Sequence, residues 1–180
     1  MGGRAYERLP HNDHLKVLID RSTNLKRVLR LLLKRILPFS LFLKMIVAEY
    51  FRAGSKPAKS LSGISENSEL LRIMNEFKPN RVLLYRAGLI VNKSVLDAGL
   101  KILNVHAAKV PEYGGIGSLH KALLDKALEQ YASLHEVTVK IDQGQLVDTE
   151  KFTLDANLSY SENERIAYDA SLRLLLRNIR

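Results

Sequence analysis

The sequence predicts an α/β fold: an open, mostly parallel sheet with helices on both of its faces. Two short and almost wholly apolar runs, residues 81–85 and 101–105, have the composition of strands buried inside a parallel sheet. Each follows a segment whose apolar residues recur at helical spacing, residues 65–77 and about 93–98. Helices that alternate with buried strands are typical of βαβ units.

The remaining elements are predicted from breakers and periodicity. Before the regular part, the pattern predicts a strand at residues 15–19, a helix at 25–37, a second helix from Pro38 to about Phe51 and a loop at 53–65. After it, the pattern predicts a helix at 118–131, strands at 134–139 and 145–152, and a last helix opened by a capping box at 161–164. Residues 15–20 fit the first strand of the sheet, or the second strand of a sheet that lacks a complete first βα unit.

Composition sets further bounds on the class of protein. The chain has 180 residues, of which 46% are apolar and 26% charged, as expected for one globular domain. It has no cysteine, which excludes disulfides and thiolate zinc sites, and we predict no metal. The most apolar stretch, residues 37–48, contains Pro38 and Lys44 and is shorter than the ~20 residues that span a bilayer. We therefore expect a cytoplasmic protein without a transmembrane segment.

The positive charge is confined to one end of the chain. Residues 1–60 hold 13 Lys and Arg against 4 Asp and Glu, whereas residues 61–180 hold 15 of each. We predict a basic, mostly helical segment at 1–60, part of the same domain or attached to it, and a catalytic core at 61–180. The basic segment suits nucleic acid, anionic lipid or a phosphorylated substrate; a solvated helix face is slightly favoured.

Three polar residues are candidates for chemistry. Asn104 and His106 follow a buried strand, at the carboxyl end where open α/β sheets bind ligands, and their spacing of two directs both side chains to one side. Asp142 precedes Gly144 in a turn between strands. Taken alone, each residue is better explained by structure: Asn104 and Asp142 by turns, and His106 by a structural hydrogen bond.

Their combination resembles the folate-dependent formyltransferases, a family that includes glycinamide ribonucleotide, methionyl-tRNA and amino-sugar formyltransferases. The family pattern N-x-H-x-x-x-x-P-x-Y-x-G is matched by Asn104, His106, Pro111, Tyr113 and Gly115. Downstream come the segments 133–135 (Ser-Leu-His) and 142–147 (Asp-x-Gly-x-Leu-Val), which also follow the family order. The resemblance covers about residues 67–180 and implies the Rossmann-like formyltransferase fold.

The resemblance implies transfer of a formyl group from 10-formyltetrahydrofolate, the cosubstrate, to a primary amine of a small acceptor, with an amino sugar as the leading candidate. The Asn104 amide and a protonated His106 would donate to the developing oxyanion. Asp142 would accept or relay the proton of the amine and, by its charge, favour the His106 imidazolium.

The resemblance also implies which residues line the binding sites. The predicted cosubstrate-binding residues are Ala87, Gly88, Leu89, Ile90, Val139 and Ile141. The predicted substrate-binding residues are Pro111, Tyr113, Gly115 and His135. Lys109 is unusual before the family proline, and Gly115 follows Gly114 where an arginine often stands. Details of the folate and acceptor contacts therefore stay open.

Several alternatives remain at the level of sequence. The chain fits a methionyl-tRNA or glycinamide ribonucleotide formyltransferase-like protein, or a non-catalytic relative that binds a partner or nucleic acid through its basic amino-terminal helices. A chance motif match in an unrelated α/β domain is a further possibility, which a large distance between His106 and Asp142 would establish. The sequence leaves the oligomeric state open.

Overall fold

The computed structural model describes residues 5–10, 14–22, 30, 32–34, 38–50 and 61–179. The strands are β1 (Ile19–Asp20), β2 (Gly63–Ile64), β3 (Arg81–Tyr85), β4 (Lys101–His106), β5 (Glu129–Glu136) and β6 (Leu146–Thr153). The helices are α1 (Phe39–Tyr50), α2 (Asn67–Phe77), α3 (Lys93–Leu96), α4 (Ser118–Leu124) and α5 (Tyr160–Asn178). Within these described ranges, none of the helices has the length and apolar character needed to cross a membrane.

The strands form a four-stranded sheet and a separate two-stranded one. In the larger sheet, with order β3-β4-β5-β6, β3 and β4 are parallel while β5 runs antiparallel to both of its neighbours. In the smaller sheet β1 pairs in parallel with β2. The predicted α/β class is thus confirmed, but the larger sheet is mixed rather than mostly parallel, because two of its three strand pairings are antiparallel. The parallel pairs are β3–β4 in the larger sheet and β1–β2 in the smaller one. The amino-terminal strand β1 therefore pairs outside the larger sheet.

Helices cover both faces of the larger sheet, as predicted. On one face, Leu103 and Val105 of β4 pack with the buried side of α5, including Leu174. On the other face, Ile102 packs with residues of α2 and α3, including Val95. This alternation is the two-residue period of a strand buried on both sides.

Three predicted elements after β4 have wrong boundaries, and one of them is the strand predicted at 134–139, which is β5 and spans Glu129–Glu136. The helix predicted to reach residue 131 ends at Leu124, because Lys126 adopts a left-handed backbone with φ of 54° and β5 begins at Glu129. Pairing with β6 thus prevails over local helical spacing. The capping box of α5 is formed by Ser159 and Glu162, two residues before the predicted start.

The amino-terminal predictions have mixed outcomes. The second helix is confirmed as α1, whereas the strand predicted at 15–19 is reduced to the two residues of β1. The predicted loop contains β2. Most of the helix predicted at 25–37 falls on residues 23–29, 31 and 35–37, and most of that loop on 51–60, outside the described residues. Ala5 and Leu41 are both buried, so parts of this segment pack into the protein.

Asn163 fixes the turn between β6 and α5. Its side chain is fully buried, and its Nδ2 donates to the carbonyl oxygens of Asp155 (2.8 Å), Leu158 (3.2 Å) and Ser159 (3.2 Å). Its Oδ1 accepts from the Asp155 amide at 2.8 Å. One buried carboxamide therefore holds the backbone of residues 155–159 through four hydrogen bonds.

Replacing Asn163 by alanine is expected to lower the free energy of unfolding by roughly 3 kcal/mol, because the turn loses four hydrogen bonds made by a fully buried side chain. Urea denaturation followed by circular dichroism measures this change. Asn157→Ala, at an exposed asparagine of the same turn, is the matched control and should cost about 0.5 kcal/mol or less. Equal losses in the two variants would contradict the assigned role of Asn163.

Candidate active site

A cleft of about 770 Å³ opens where β3 and β4 end. Its floor contains Asn104 and His106 of β4 together with His135 of β5, and Asp142 closes it from the loop before β6. The register that pairs Asn104 with His135 and His106 with Ser133 sets three of these side chains on one side of the sheet. The cleft thus lies at the strand end where the sequence predicts it.

Asn104, His135 and Asp142 form one hydrogen-bonded group. Asn104 Nδ2 lies 3.2 Å from His135 Nε2 and 3.4 Å from Asp142 Oδ1, and His135 Nε2 lies 3.3 Å from the same Oδ1. His135 Nδ1 lies 2.9 Å from the carbonyl oxygen of Glu136, which can only accept, so this nitrogen carries a hydrogen. The buried His135 ring thereby presents Nε2 to both partners.

His106 is held from the opposite side. Its Nε2 donates to the Tyr113 carbonyl oxygen at 3.0 Å, and its Nδ1 faces Asp142 Oδ2 at 3.6 Å. That separation fits an ion pair when the ring is protonated, but it exceeds hydrogen-bond length. Since His106 and Asp142 are adjacent in space, the large separation expected for a chance motif match is not observed.

The loop around Asp142 depends on tight backbone packing. Asp142 has a left-handed backbone (φ 53°), a conformation that aspartate and asparagine tolerate better than most residues. The Gly115 amide donates to Asp142 Oδ2 at 2.7 Å. At Gly144 any Cβ would come within 1.8 Å of the Glu136 carbonyl oxygen. Glycine is therefore required where the Asp142 loop crosses the end of β5.

The charges of this group are strongly coupled. Burial by itself raises the pKa of Asp142, but hydrogen bonding to His135, the nearby His106 and the Gly115 amide together lower that pKa to about 2. Burial lowers the pKa of His106, and attraction to Asp142 offsets this only in part. The expected bias towards an imidazolium therefore does not prevail in the free cleft, where His106 is neutral at neutral pH.

Nearly all of the residues predicted to bind cosubstrate or substrate line this cleft. They are Ala87, Gly88, Leu89, Ile90, Val139, Ile141, Pro111, Gly115 and His135. Tyr113 is not in the lining: its hydroxyl reaches Asp125 at 3.3 Å, and it contacts the group only through its carbonyl oxygen. Within the described residues, no group of His, Asp and Glu side chains is arranged to hold a metal ion.

Sequence analysis missed Asp20, which reaches the cleft loop from β1. Its Oδ2 accepts hydrogen bonds from the Gly88 and Leu89 amides, the latter at 2.8 Å, and its Oδ1 accepts from Ser22 N at 2.7 Å. Although burial raises its pKa, these hydrogen bonds lower it overall. A carboxylate directly after the apolar run 17–19 was the available signal, because residues at strand ends commonly face ligands.

Sequence analysis also missed a polar side of the cleft formed by α5. Tyr160, Glu164 and Tyr168 line it together with Arg86, whose guanidinium carbon lies 3.9 Å from the centre of the Tyr168 ring. Glu164 is buried. Tyr160, Glu164 and Tyr168 recur at four-residue intervals along α5, which is the spacing of one helix face.

The chain belongs to the formyl transferase family. The family model described as "Formyl transferase" matches residues 44–179, which include the whole hydrogen-bonded group. This is a family of enzymes that transfer formyl groups and use formyltetrahydrofolate. The match begins within α1, so it extends into the basic amino-terminal segment.

Individual relatives are similar at low identity. A methionyl-tRNA formyltransferase of Syntrophomonas wolfei is 27% identical over 109 residues, which are 60% of this chain and 35% of that protein. The chain thus matches about a third of the length of that curated relative.

Two solved structures share the fold. Glycinamide ribonucleotide transformylase 1 of Symbiobacterium toebii has a TM-score of 0.60 at 18% identity, covering 96% of this chain and 90% of that one. A Mycobacterium tuberculosis protein suggested to be a sugar N-formyltransferase has a TM-score of 0.59 at 16% identity, covering 92% and 66%. At these identities the likeness shows the fold alone.

The lowered pKa of Asp142 predicts a specific loss of stability in acid. Because the pKa in the folded protein is about 2, below the ordinary 3.8, the ionised carboxylate contributes stability that is fully present above the ordinary pKa and is lost as pH falls through about 2. We expect the difference in free energy of unfolding between the native protein and Asp142→Asn to change by about 2 kcal/mol across that window.

Chemical denaturation at a series of pH values measures this difference. Asparagine tolerates the left-handed backbone at residue 142, so the variant isolates the charge. Asp97→Asn, at an exposed carboxylate outside the cleft, controls for the loss of one negative charge. A pH-independent difference for Asp142→Asn would show that the carboxylate is not stabilised by its neighbours.

Proposed function

We propose that this chain transfers the formyl group of 10-formyltetrahydrofolate to a primary amine of a small acceptor, with an amino sugar as the leading candidate. The observation that carries the proposal is the convergence of Asn104, His106 and Asp142 around one point of the cleft, in a member of the formyl transferase family. A carboxamide donor, a neutral imidazole and a carboxylate are the groups that acyl transfer to an amine requires.

The chemistry of the cleft fits a folate as the cosubstrate, which would supply the activated formyl group. Its volume lies in the range of small-molecule sites, roughly 300–1,000 Å³. Ile90, Val139 and Ile141 are exposed apolar residues on its lining, and water contact with them would be lost beneath a flat, largely apolar ring system. The adjoining segment 87–89 also lines the cleft, and Asp20 holds its amides at residues 88 and 89.

Asn104 is proposed to stabilise the charge that develops on the formyl oxygen. Of its two contacts, the one to Asp142 is the longer, at 3.4 Å against 3.2 Å for the one to His135. We propose that the N–H directed at Asp142 turns to the oxyanion, while the contact with His135 helps to fix the amide plane. A donor placed before reaction contributes about 3 kcal/mol to such transition states.

His106 is proposed to move the proton. Its pKa is lowered by burial, so Nδ1 is unprotonated at neutral pH and can take the proton that the attacking amine loses. The imidazolium so formed faces the Asp142 carboxylate, which remains ionised because its pKa is about 2. His106 then returns the proton to the departing nitrogen as the carbon–nitrogen bond breaks. Asp142 Oδ2 lies 3.6 Å from His106 Nδ1, so the carboxylate either relays the proton or balances the positive charge of the imidazolium.

The acceptor is proposed to lie against α5. Glu164, Tyr160 and Tyr168 make that side of the cleft polar, which suits a compound that carries an amine and several hydroxyls. A methionyl-tRNA acceptor is the alternative, supported by the relative from Syntrophomonas wolfei. A glycinamide ribonucleotide acceptor rests only on the name of a structure that shares the fold.

The division of labour along the chain is also a proposal. Residues 61–180 would form the catalytic core and residues 1–60 a basic accessory segment. Asp20 and Met45 qualify this division, because Asp20 bonds the cleft loop and Met45 lines the cleft. The accessory segment would therefore contribute to the shape of the site as well as to the charge of the protein.

Incubation with 10-formyltetrahydrofolate and a panel of amines should give a formylated amine and tetrahydrofolate, detected by mass spectrometry and absorbance. Asp142→Asn and Asn104→Ala are each expected to lower kcat by a factor of about 100 or more, since each removes stabilisation of transition-state charge. Asp97→Asn is the control that should retain native kcat. Absence of folate binding at millimolar ligand would sink the proposal.

The pH profile separates proton transfer from a purely structural effect. Activity should fall on the acid side as His106 becomes protonated, because the base is then unavailable. In Asp142→Asn the attraction that raises the His106 pKa is lost, so the acid limb of the residual activity should move to lower pH. An unchanged acid limb would contradict His106 as the base.

Asp20 is expected to position the cosubstrate loop rather than to take part in chemistry. Asp20→Asn keeps one acceptor oxygen where the carboxylate has two, so either Ser22 or the loop amides lose their partner. We expect KM for 10-formyltetrahydrofolate to rise about tenfold while kcat changes by less than about twofold. Glu66→Gln, at an exposed carboxylate outside the cleft, is the control. A proportional fall in kcat would instead indicate loss of folded protein.

A further inference from the structure

One face of α1 carries a stripe of large apolar side chains exposed to solvent. Phe39 is 71% exposed, Leu43 51%, Ile46 47% and Val47 45%. These residues are spaced at three and four positions, so they lie along a single side of the helix. Elsewhere on α1, Leu41 is buried and Met45 lines the cleft, which fixes how the helix is oriented on the protein.

Basic residues flank this stripe along the sequence. Residues 21–60 hold 10 Lys and Arg against a single acidic residue, Glu49. Lys44 is exposed on α1 itself, and Arg30 and Lys34 are exposed a short distance before it, together with Leu33. The other 140 residues of the chain have no net charge, so any attraction to an anionic surface is concentrated at α1 and its flanking segments.

Different occupants satisfy these two features to different degrees. A nucleic acid would neutralise the basic residues but leave the apolar stripe in water. A second copy of the chain would cover the stripe but bring two basic segments together, which is electrostatically unfavourable. An anionic lipid surface meets both requirements, because acyl chains receive the apolar face while phosphate headgroups neutralise the flanking lysines and arginines.

We propose that α1 is an interfacial helix that holds this protein on an anionic membrane surface, with Phe39, Leu43, Ile46 and Val47 entering the boundary between headgroups and acyl chains. Lys44 lies beside the stripe, and its aliphatic stem can follow the apolar surface while its ammonium group reaches the headgroups. Attachment of this kind needs no spanning segment. It combines two weak contributions, apolar insertion and headgroup attraction, so it is reversible and sensitive to salt.

Sedimentation of the full chain with vesicles tests the proposal. We expect pelleting with vesicles of phosphatidylcholine and phosphatidylglycerol in equal parts, and little pelleting with phosphatidylcholine alone. The double substitution Leu43→Gln/Ile46→Gln should lower the partition coefficient by about tenfold or more, because the apolar insertion is lost. Leu124→Gln, at an exposed leucine of α4 outside the cleft, is the matched control and should bind like the native protein.

Each remaining outcome would overturn the proposal. Failure to pellet with anionic vesicles at low salt would do so directly, and native-like pelleting by the double variant would assign binding to charge alone. Binding to a mixed-sequence RNA that the double variant retains, with no vesicle binding, would assign the segment to nucleic acid. A dimer that dissociates on the double substitution would assign the stripe to self-association. Circular dichroism and urea denaturation of each variant confirm that the fold is kept.

Discussion

The Asp142 carboxylate is the point on which the architecture of the site converges. One oxygen accepts from the Gly115 amide and faces His106, and the other faces Asn104 and His135. A buried carboxylate is costly unless its neighbours compensate for the lost water, and the pKa of about 2 shows that here they do so in excess. The same contacts tie together β4, β5 and the two loops that form the cleft.

Backbone conformation contributes as much to this arrangement as side-chain chemistry. The left-handed turn at Asp142 aims its carboxylate into the cleft, and Gly144 lets the loop pass against the carbonyl of Glu136 with no room for any side chain. The antiparallel register of β4 and β5 then brings His135 opposite Asn104. Asp142, Gly144 and the β4–β5 register together place the polar side chains in the cleft. Each of these sequence motifs is therefore ordinary alone, but their combination indicates the site.

The predictability of each feature follows from the range of the interactions that create it. Strand β3 and helix α2 were predicted closely because their local pattern and their buried environment agree. The end of α4 was missed because a left-handed Lys126 and pairing with β6 override helical spacing. Asp20 was missed because its partners, Gly88 and Leu89, are almost seventy residues away. Motif order identified the residues that meet in the cleft, whereas their hydrogen-bond partners depend on contacts between segments that are distant in the sequence.

The bond between Asp20 and the loop at residues 88–89 joins a two-stranded parallel pair, β1–β2, to the wall of the cleft. A parallel pair this short has little stability of its own, so its order depends on what it touches. By thermodynamic reciprocity, a ligand that immobilises the wall also protects the Ile19 and Arg21 amides, which donate to Ser62 and Ile64. Slower hydrogen exchange of these two amides would then indicate that a ligand occupies the cleft, although the amides themselves lie outside it.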